Sequence, residues 1–535
     1  MSRADAGHVF IVRADLARLG SDAWLLPCDE GLRVSESWKQ RLERERPEFL
    51  CGSRLAKPAP AGWGTGGRRT YRIGRWPGQS STWAALTGYP WEEPEWFVEG
   101  ARQFVRATAG KIGGSSSLHG RAKPLLALPV PGIGEGGGRE RTGEIIESLL
   151  DALENEAVEL DVDIALVLRD RYDHAAAQSV RRRRLARRRV ESRETWSIPQ
   201  PLLDAAVRLG RQAATGSLVL FLGAGISQEA GLPGWGALIE GLARDAGMPT
   251  EEIAALKRLD VLDQAQLVEG RLGDLGGIGA AVSARLSTPT YSLAHALLAS
   301  LPIREAATTN YDALFERAAE SIHSDFAVLP YHPARDRERW LLKLHGDVDH
   351  PEDIVLTREH YLRYSEQRAA LAGIVQALLV TRHMLFVGFS LSDDNFHRIV
   401  TDVRKALPPS SEGTFGTALF LERDPLLEEL WSRDVEVLAA STGEGGQDTA
   451  NARRSVELFL DLLLHEATDD SAFLLERRFE HLLLPEEREL AAKLTAPIEE
   501  TPDAARRTRA WSTLLAAFGQ LGLPGAGEHR SRGTR

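Results

Sequence analysis

Short apolar runs alternate with helical stripes through the middle of the chain. Leu218–Leu222 is an apolar run that ends at a glycine, and Met384–Phe389 is a second such run. Residues 417–421 and 435–438 are two further strand candidates, and apolar residues recur at spacings of three and four over 235–242. Such spacings are typical of helices with one buried face. Apolar strands that alternate with amphipathic helices predict a parallel sheet covered on both faces.

Two helix starts can be predicted after these strands. Ser392 can cap a helix that opens with Asp393 and Asp394, whose negative charges suit the positive end of a helix. Asp424 followed by Pro425 predicts another helix, with the aspartate as cap and the proline in the first turn.

The first third of the chain has a similar pattern of its own. Val9–Val12, Leu125–Val130 and Ile164–Leu168 are strand candidates, and a helical stripe begins at Ile145. A glycine-rich stretch, 132–138, stands between the second strand and that helix. The pattern predicts a separate α/β domain over residues 1–172.

The segment 173–200 breaks this pattern. Seven arginines lie between Arg181 and Arg189, and Pro199-Gln200-Pro201 follows. We interpret this segment as a solvated, charge-rich helical linker. The alternative is an arm that binds nucleic acid. That alternative is disfavoured because no aromatic residues, which could stack on bases, stand between the arginines. A second domain is then expected over 201–468, a helical C-terminal segment over 469–521 and a disordered tail over 522–535.

Composition narrows the class of protein. Hydrophobic residues make up 43% and charged residues 26%, as in ordinary globular proteins, and the net charge is −11. No run reaches the length of a membrane helix, and Met1–Phe10 has no signal-peptide core, so we expect a cytoplasmic protein without membrane contact. Two cysteines, Cys28 and Cys51, cannot build a four-thiolate zinc site, and we expect no bound metal.

Polar motifs follow several of the central strands, where ligands of parallel sheets bind. These are Gly223-Ala224-Gly225-Ile226-Ser227, Thr308-Thr309-Asn310-Tyr311-Asp312, Leu342-Lys343-Leu344-His345-Gly346-Asp347 and Gly388-Phe389-Ser390-Leu391-Ser392-Asp393. Glycines after a strand allow backbone amides to approach a pyrophosphate closely. Each motif alone also fits an ordinary strand-to-helix turn.

Taken in this order, the four motifs resemble those of the sirtuin family over about Leu203–Ala440. GAGIS resembles the NAD-binding opening, TTNYD the TQNID-type segment, LKLHGD the strand with the catalytic histidine, and GFSLSD the GTSL-type ribose and phosphate loop. The resemblance implies a parallel-sheet, Rossmann-like domain with NAD as substrate. The zinc module of protein-deacylating sirtuins is missing, since no cysteine follows Cys51, and the GIPDFR loop reads Gly231-Leu232-Pro233-Gly234-Trp235-Gly236. These departures resemble the divergent bacterial branch of the family, many members of which hydrolyse NAD in anti-phage defence.

The resemblance assigns roles to particular residues. Asn310 would orient a water near the anomeric carbon, Asp312 would face the developing positive charge or hold the nicotinamide pocket, and His345 would act as base or bind ribose hydroxyls. The remaining predicted contacts to NAD are Gly223, Ala224, Gly225, Ser227, Trp235, Thr308, Gly388, Ser390 and Asp393. Burial in its own helix is an equal reading for Trp235.

The N-terminal domain resembles a macro domain, the ADP-ribose-binding module. The resemblance rests on the strand Ala23-Trp24-Leu25-Leu26-Pro27 and on the glycine loop at 132–138, which precedes a helix. Leu26-Pro27-Cys28-Asp29 stands where that family has an asparagine-rich segment. The resemblance implies a possible ADP-ribose-type ligand that could gate the neighbouring site.

The sequence therefore predicts a macro-like α/β domain, a sirtuin-like domain and a helical C-terminal segment. The favoured function is hydrolysis of NAD to nicotinamide and ADP-ribose. A deacylase or ADP-ribosyltransferase is one alternative, and a non-catalytic NAD or ADP-ribose sensor is another. The resemblance also implies a homo-oligomer or a complex with a partner ATPase.

Overall fold

The N-terminal unit is built on a six-stranded sheet. In the computed structural model, residues 6–523 are described, apart from 65–66, 76–80, 87, 90, 113–116, 135–136, 189–191, 273–276, 336, 409–412 and 442–448. The sheet has the order β1-β8-β7-β2-β6-β5, parallel except for β5 against β6. Its elements and those of a small hairpin are β1 Val9–Arg13, β2 Ala23–Cys28, α1 Glu36–Glu45, β3 Leu50–Cys51, β4 Arg54–Leu55, β5 Thr70–Gly74, β6 Ser81–Leu86, α2 Pro94–Ile112, β7 Leu125–Pro129, α3 Thr142–Leu160, β8 Asp163–Leu168 and α4 Arg171–Arg188.

The second unit is a seven-stranded, wholly parallel sheet in the order β11-β12-β10-β9-β13-β14-β15. Its elements are α5 Ser192–Trp196, α6 Gln200–Ala214, β9 Leu218–Leu222, α7 Gly225–Gln228, α8 Trp235–Asp245, α9 Thr250–Leu256, α10 Val261–Leu272, α11 Gly277–Arg285, α12 Leu293–Ser300, β10 Glu305–Thr308, α13 Leu314–Ser321, β11 Ala327–Leu329, β12 Trp340–Lys343, α14 Arg358–Gln367, α15 Ala369–Thr381, β13 His383–Val387, α16 Asp394–Ala406, β14 Gly416–Phe420, α17 Pro425–Trp431, β15 Val435–Ala439 and α18 Thr449–Ala467.

The predicted parallel sheet is confirmed, and its central strands are buried on both faces. All five residues of β9 are buried, and so are four of the five in β13. A strand packed on both faces needs apolar residues at every position, which is why these two appear as unbroken apolar runs rather than as alternating patterns.

The strand order reverses at β9. Strands β10, β12 and β11 lie on one side of it, and β13, β14 and β15 lie on the other. Loops that leave β9 and its neighbour β13 therefore diverge at the carboxyl edge of the sheet. Open α/β sheets bind ligands in the crevice formed at such a point.

The predicted linker is helical, as expected, but its residues 173–181 are buried rather than solvated. Residues 171–188 form α4, which packs along β1 and β8. Arg181 is buried, and it donates to the Asp461 carboxylate of α18 at 2.7 Å and to the Val9 carbonyl. An arginine run reads as solvated from sequence alone because its buried anionic partner lies 280 residues away. Arg189 lies outside the described residues.

The C-terminal segment continues with α19 Pro485–Glu500, α20 Asp503–Arg506 and α21 Arg509–Gln520. Before these helices, Phe473, Phe479 and Leu482 are buried in the hydrophobic cluster of the N-terminal sheet and α3. The segment thus returns to the first unit instead of extending the second. Residues 524–535 of the predicted disordered tail lie outside the described residues. None of the described helices is both long and apolar enough to cross a membrane.

One helix cap differs from the prediction. Asp393, and not Ser392, caps α16, with its Oδ1 accepting from the Phe396 amide at 2.9 Å. The predicted start of α17 is confirmed, since Asp424 accepts from the amides of Leu426 and Leu427. Aspartate and serine both cap well, so adjacent candidates cannot be separated without the backbone path.

Candidate functional site

A cleft of about 740 Å³ opens at the carboxyl edge of the seven-stranded sheet. Its volume falls within the range of roughly 300–1,000 Å³ that is usual for small-molecule sites. The loops after β9, β10, β12, β13 and β14 all contribute to its wall. The predicted residues that line it are Ala224, Gly225, Ser227, Trp235, Asn310, Asp312, His345, Gly388, Ser390 and Asp393.

Three glycines bring the β9 and β13 turns into backbone contact. The Gly225 amide donates to the Gly388 carbonyl at 2.9 Å. A Cβ added to Gly223 would lie 2.4 Å from that same carbonyl oxygen, and one on Gly388 would lie 2.4 Å from the Ile226 nitrogen. Gly388 also has a φ of 66°, which side chains rarely tolerate. Only glycine permits this close approach of the two turns beneath the cleft.

A hydrogen-bonded chain fixes Asn310 and Asp312. Asn310 Nδ2 donates to the Gly223 carbonyl at 3.1 Å and to Ser227 Oγ at 3.2 Å, and Ser227 Oγ donates to Asp312 Oδ2 at 2.8 Å. Asn310 Oδ1 is buried and has no hydrogen-bond partner among the described residues. The carboxamide is therefore held through its nitrogen, with an acceptor oxygen left for a ligand or a water.

Lys343 holds the same loop from below. Its buried ammonium donates to the carbonyls of Tyr311 and Asp312 at 3.1 and 2.8 Å, and it pairs with Glu316 at 2.9 Å and Asp347 at 2.7 Å. Burial lowers the pKa of Lys343, but the two carboxylates outweigh it and raise that pKa above its ordinary value. Sequence reasoning missed this residue, because a lysine inside a strand gives no sign of its partners.

His345 lies buried beside an aspartate and two tyrosines. Its Nε2 is 3.7 Å from Asp393 Oδ2, and its ring meets Tyr361 and Tyr364 edge-on, with centroids 5.4 and 5.7 Å away. Burial lowers the pKa of His345, Asp393 acts to raise it and Arg368 to lower it, and the net shift is downward. The imidazole is thus neutral near pH 7 and able to accept a hydrogen bond or a proton.

Two predicted ligand contacts do not line the cleft. The Thr308 side chain is buried, where its hydroxyl donates to the Leu222 carbonyl at 2.9 Å and accepts from the Asn310 amide at 2.9 Å. Gly223 contributes its carbonyl to Asn310 and lies under the turn. Both support residues that face the cleft. A residue that follows a strand can point to either side, which sequence alone does not decide.

Other lining residues were not predicted. Tyr361 comes from α14, and Gln228 comes from the end of α7. Asp260, Val261 and Leu262 reach the cleft from the start of α10, and Leu421 and Glu422 reach it from the end of β14. Glu422, two residues after β14, was a signal that could have been found, because nucleotide-binding sheets often carry an acidic residue near a strand end. The helical residues gave no such signal.

Trp235 contributes to the wall of the cleft and also packs within the helical lobe formed by α8–α11. Trp235 is thus partly buried against this lobe, and its contact with NAD stays a prediction. Ser390 is exposed at the rim, where its hydroxyl lies 2.6 Å from that of Ser392.

A second cleft of about 620 Å³ lies in the N-terminal unit, at the carboxyl ends of β1, β2, β7 and β8. Its wall includes Gly132, Gly134, Cys28, Arg169 and Trp38. Residues 135 and 136 of the predicted glycine loop lie outside the described residues. Across all the residues that are described, no group of three or more His, Cys, Asp or Glu is placed to hold a metal ion.

Comparison with known proteins finds a family model that matches part of the chain around the main cleft. Residues 304–438 match the model of the SIR2-like domain. The chain is 32% identical over 195 residues to the NAD(+) hydrolase ThsA of Bacillus cereus (strain MSX-D12), which is 35% of this chain and 40% of that protein. It is 29% identical over 208 residues to the ThsA of Enterococcus faecium, or 37% of this chain and 42% of that protein. The chain thus spans about two fifths of these relatives.

Two further likenesses are more distant. Defense-associated sirtuin 2 of Bacillus subtilis is 24% identical over 238 residues, which is 42% of this chain and 22% of that protein. A mutant of the Oceanobacillus iheyensis macrodomain covers 33% of this chain and 92% of its own, at 14% identity and a TM-score of 0.23. That score is too low to decide the fold of the N-terminal unit, for which the macro-like architecture stays a prediction. The chain carries a SIR2-like region, and that region supplies the asparagine and the histidine of its main cleft.

Proposed function

We propose that the protein is an NAD glycohydrolase, which cleaves NAD to nicotinamide and ADP-ribose. The observation that carries the proposal is the convergence of a glycine turn, the Asn310 carboxamide and the His345 imidazole on one cleft. The sequence likeness to proteins named NAD(+) hydrolase supports the choice of substrate.

The strand order supports one direction for the bound dinucleotide. Asn310 follows β10, the glycine turns follow β9 and β13, and Glu422 follows β14. Neighbouring strands lie about 4.8 Å apart, so β10 and β14 are separated by roughly 14 Å. Nicotinamide and its ribose would lie at Asn310 and His345, the diphosphate over the glycines and the adenosine towards Glu422.

The reaction needs little acid catalysis. The ring of nicotinamide in NAD is cationic, so the C–N bond to ribose breaks with its electron pair going to a nitrogen that becomes neutral. The ribosyl carbon passes through an oxocarbenium-like state, and a water oxygen then bonds to it and releases a proton. The enzyme must hold the ribose, admit one water and accept that proton.

Three polar side chains of the cleft can each contribute to one part of this reaction. The unsatisfied Asn310 Oδ1 would accept from the attacking water and orient it. The Asp312 carboxylate would face the developing positive charge, steadied by Ser227 and by the Leu314 amide. Neutral His345 would take the proton or accept from a ribose hydroxyl.

The biological role we propose is defence against phage by depletion of NAD. Its support is that one relative is named a defense-associated sirtuin. Consumption of a coenzyme that every cell needs would stop phage growth together with that of the host. Such an activity requires a gate, and we expect turnover to rise only after infection or when a partner protein binds.

The N-terminal cleft is our candidate for the gate, with an ADP-ribose-type nucleotide as its ligand. Asp15, in its wall, donates its amide to Tyr291 Oη of the second unit at 2.8 Å. A Cβ added to Gly231 would lie 2.6 Å from the ring of His119 in the first unit, and Gly231 stands two residues before Pro233 in the wall of the main cleft. A ligand that moves the segment around Asp15 or around His119 could thereby shift the loops that line the main cleft. Calorimetry with ADP-ribose tests this, and the absence of both heat and thermal stabilisation would refute it.

The central test incubates purified full-length protein with NAD and follows nicotinamide by chromatography. Asn310→Ala and His345→Ala should each lower turnover by about 100-fold or more, the scale seen when a polar group that stabilises a transition state is removed. His481→Ala is a matched control, since that histidine is exposed and, among the described residues, pairs only with Glu147. Unchanged turnover in both cleft variants would refute the proposed mechanism.

The same assay separates the alternatives. A deacylase or ADP-ribosyltransferase would release nicotinamide only when an acylated peptide or another acceptor is added. A hydrolase releases it from NAD alone, and a sensor would bind NAD without any release.

A further inference from the structure

Asp393 lies between two side chains that both approach one of its oxygens. Its Oδ1 is used by the cap of α16, where it accepts from the Phe396 amide at 2.9 Å. Its Oδ2 accepts from Tyr361 Oη at 2.7 Å and lies 3.7 Å from His345 Nε2. The tyrosine therefore holds the hydrogen bond, while the histidine remains just beyond hydrogen-bond distance.

His345 Nε2 is buried and has no hydrogen-bond partner among the described residues. A buried imidazole nitrogen left in this way is uncommon. A movement of under 1 Å would let Nε2–H donate to Asp393, as a newly formed imidazolium would require.

We propose that Tyr361 is a positioning residue for His345: its hydroxyl occupies the Asp393 oxygen that faces the imidazole, and so limits how strongly the carboxylate attracts a proton onto the ring. The inference rests on the proposed function, because it assigns to His345 a role in turnover. Tyr361 itself acts through Asp393.

Few other groups around His345 could influence its protonation in the way that Tyr361 and Asp393 do. Arg368, which follows α14, opposes protonation by its positive charge, and burial does so more strongly. Tyr364 also meets the ring edge-on, but its buried hydroxyl has no hydrogen-bond partner among the described residues. Asp393 is the carboxylate that favours the protonated ring. A change in the hydrogen bonds of Asp393 should therefore change how readily His345 is protonated.

The two tyrosines form a matched pair for the experiment. They lie one helical turn apart on α14, and the ring of each forms a T-shaped contact with His345. Phenylalanine at either position keeps that ring contact. Only Tyr361→Phe removes a hydrogen bond to Asp393.

The measurement is kcat/KM for nicotinamide release from NAD between pH 5 and 9. The acid limb reports the pH at which the neutral imidazole is lost. In Tyr361→Phe the freed carboxylate favours the protonated ring, so the limb should move to higher pH by about one unit. Tyr364→Phe should leave the limb where it is in the wild type. Superimposable profiles for the two variants would overturn the proposal.

A second variant guards against a folding defect in Tyr361→Phe. Asp393→Asn retains a capping residue for α16 but removes the charge. Its acid limb should move the opposite way, to lower pH, and an unmoved limb would again overturn the proposal. Wild-type protein that releases no nicotinamide would instead refute the proposed function, so the two failures are distinguishable.

Discussion

Replacement of Asp461 by asparagine should destabilise the contact between the two units by about 3–5 kcal/mol, the usual cost of leaving one member of a buried ion pair without its partner. Asp461 is fully buried on α18. Its carboxylate accepts from Arg181 at 2.7 Å, from Trp196 Nε1 at 2.8 Å and from His8 Nε2 at 2.9 Å. Asparagine fits the same space but leaves the Arg181 charge uncompensated.

The assay is thermal unfolding of the full chain followed by circular dichroism. A loss of 3–5 kcal/mol corresponds to a midpoint about 6–20 °C lower for a cooperative unit of roughly 150–250 residues. Asp204→Asn is the control, because Asp204 is exposed and bonded only to Gln200 among the described residues, and such surface changes usually cost at most about 0.5 kcal/mol. A loss below about 1 kcal/mol in Asp461→Asn would refute the reasoning.

The effect should also depend on pH with a definite sign. Burial acts to raise the pKa of Asp461, but Arg181 and His8 outweigh it and hold that pKa well below its ordinary value. The stabilisation is therefore fully present above the unfolded-state pKa of about 4 and is lost as the pH falls towards the folded value. The difference in the free energy of unfolding between wild type and Asp461→Asn should stay constant near neutral pH and become smaller below about pH 4.

Two further predictions concern the main cleft. Glu422→Ala should reduce the preference for NAD over NADP, because a carboxylate near the adenosine ribose would repel a 2′-phosphate. The measurement is the ratio of the kcat/KM values for the two dinucleotides, and an unchanged ratio would place the adenosine elsewhere. Gly388→Ala should lower both the unfolding midpoint and NAD turnover, since its Cβ would lie 2.4 Å from the Ile226 nitrogen in a backbone with a φ of 66°. The control is Gly373→Ala on α15, which should lower neither, because a Cβ there would lie in open space.

Much of the second unit could be predicted from the chain alone. Strand β9 was predicted with its observed bounds, because a strand buried on both faces must be apolar throughout. The positions of Asn310 and His345 after strands followed from the same pattern. The carboxyl ends of parallel strands meet at one edge of a sheet, so local sequence was enough to bring these residues to one cleft.

The tertiary structure alone decided which groups pair across long distances. Arg181 reads as part of a solvated run, yet its partner Asp461 is 280 residues away and buried. Tyr361 has no motif around it, and its role depends on where α14 packs against Asp393. Hydrophobic periodicity records how each segment faces the core, but an ion pair or a hydrogen bond between distant segments leaves no local periodicity by which it could be read.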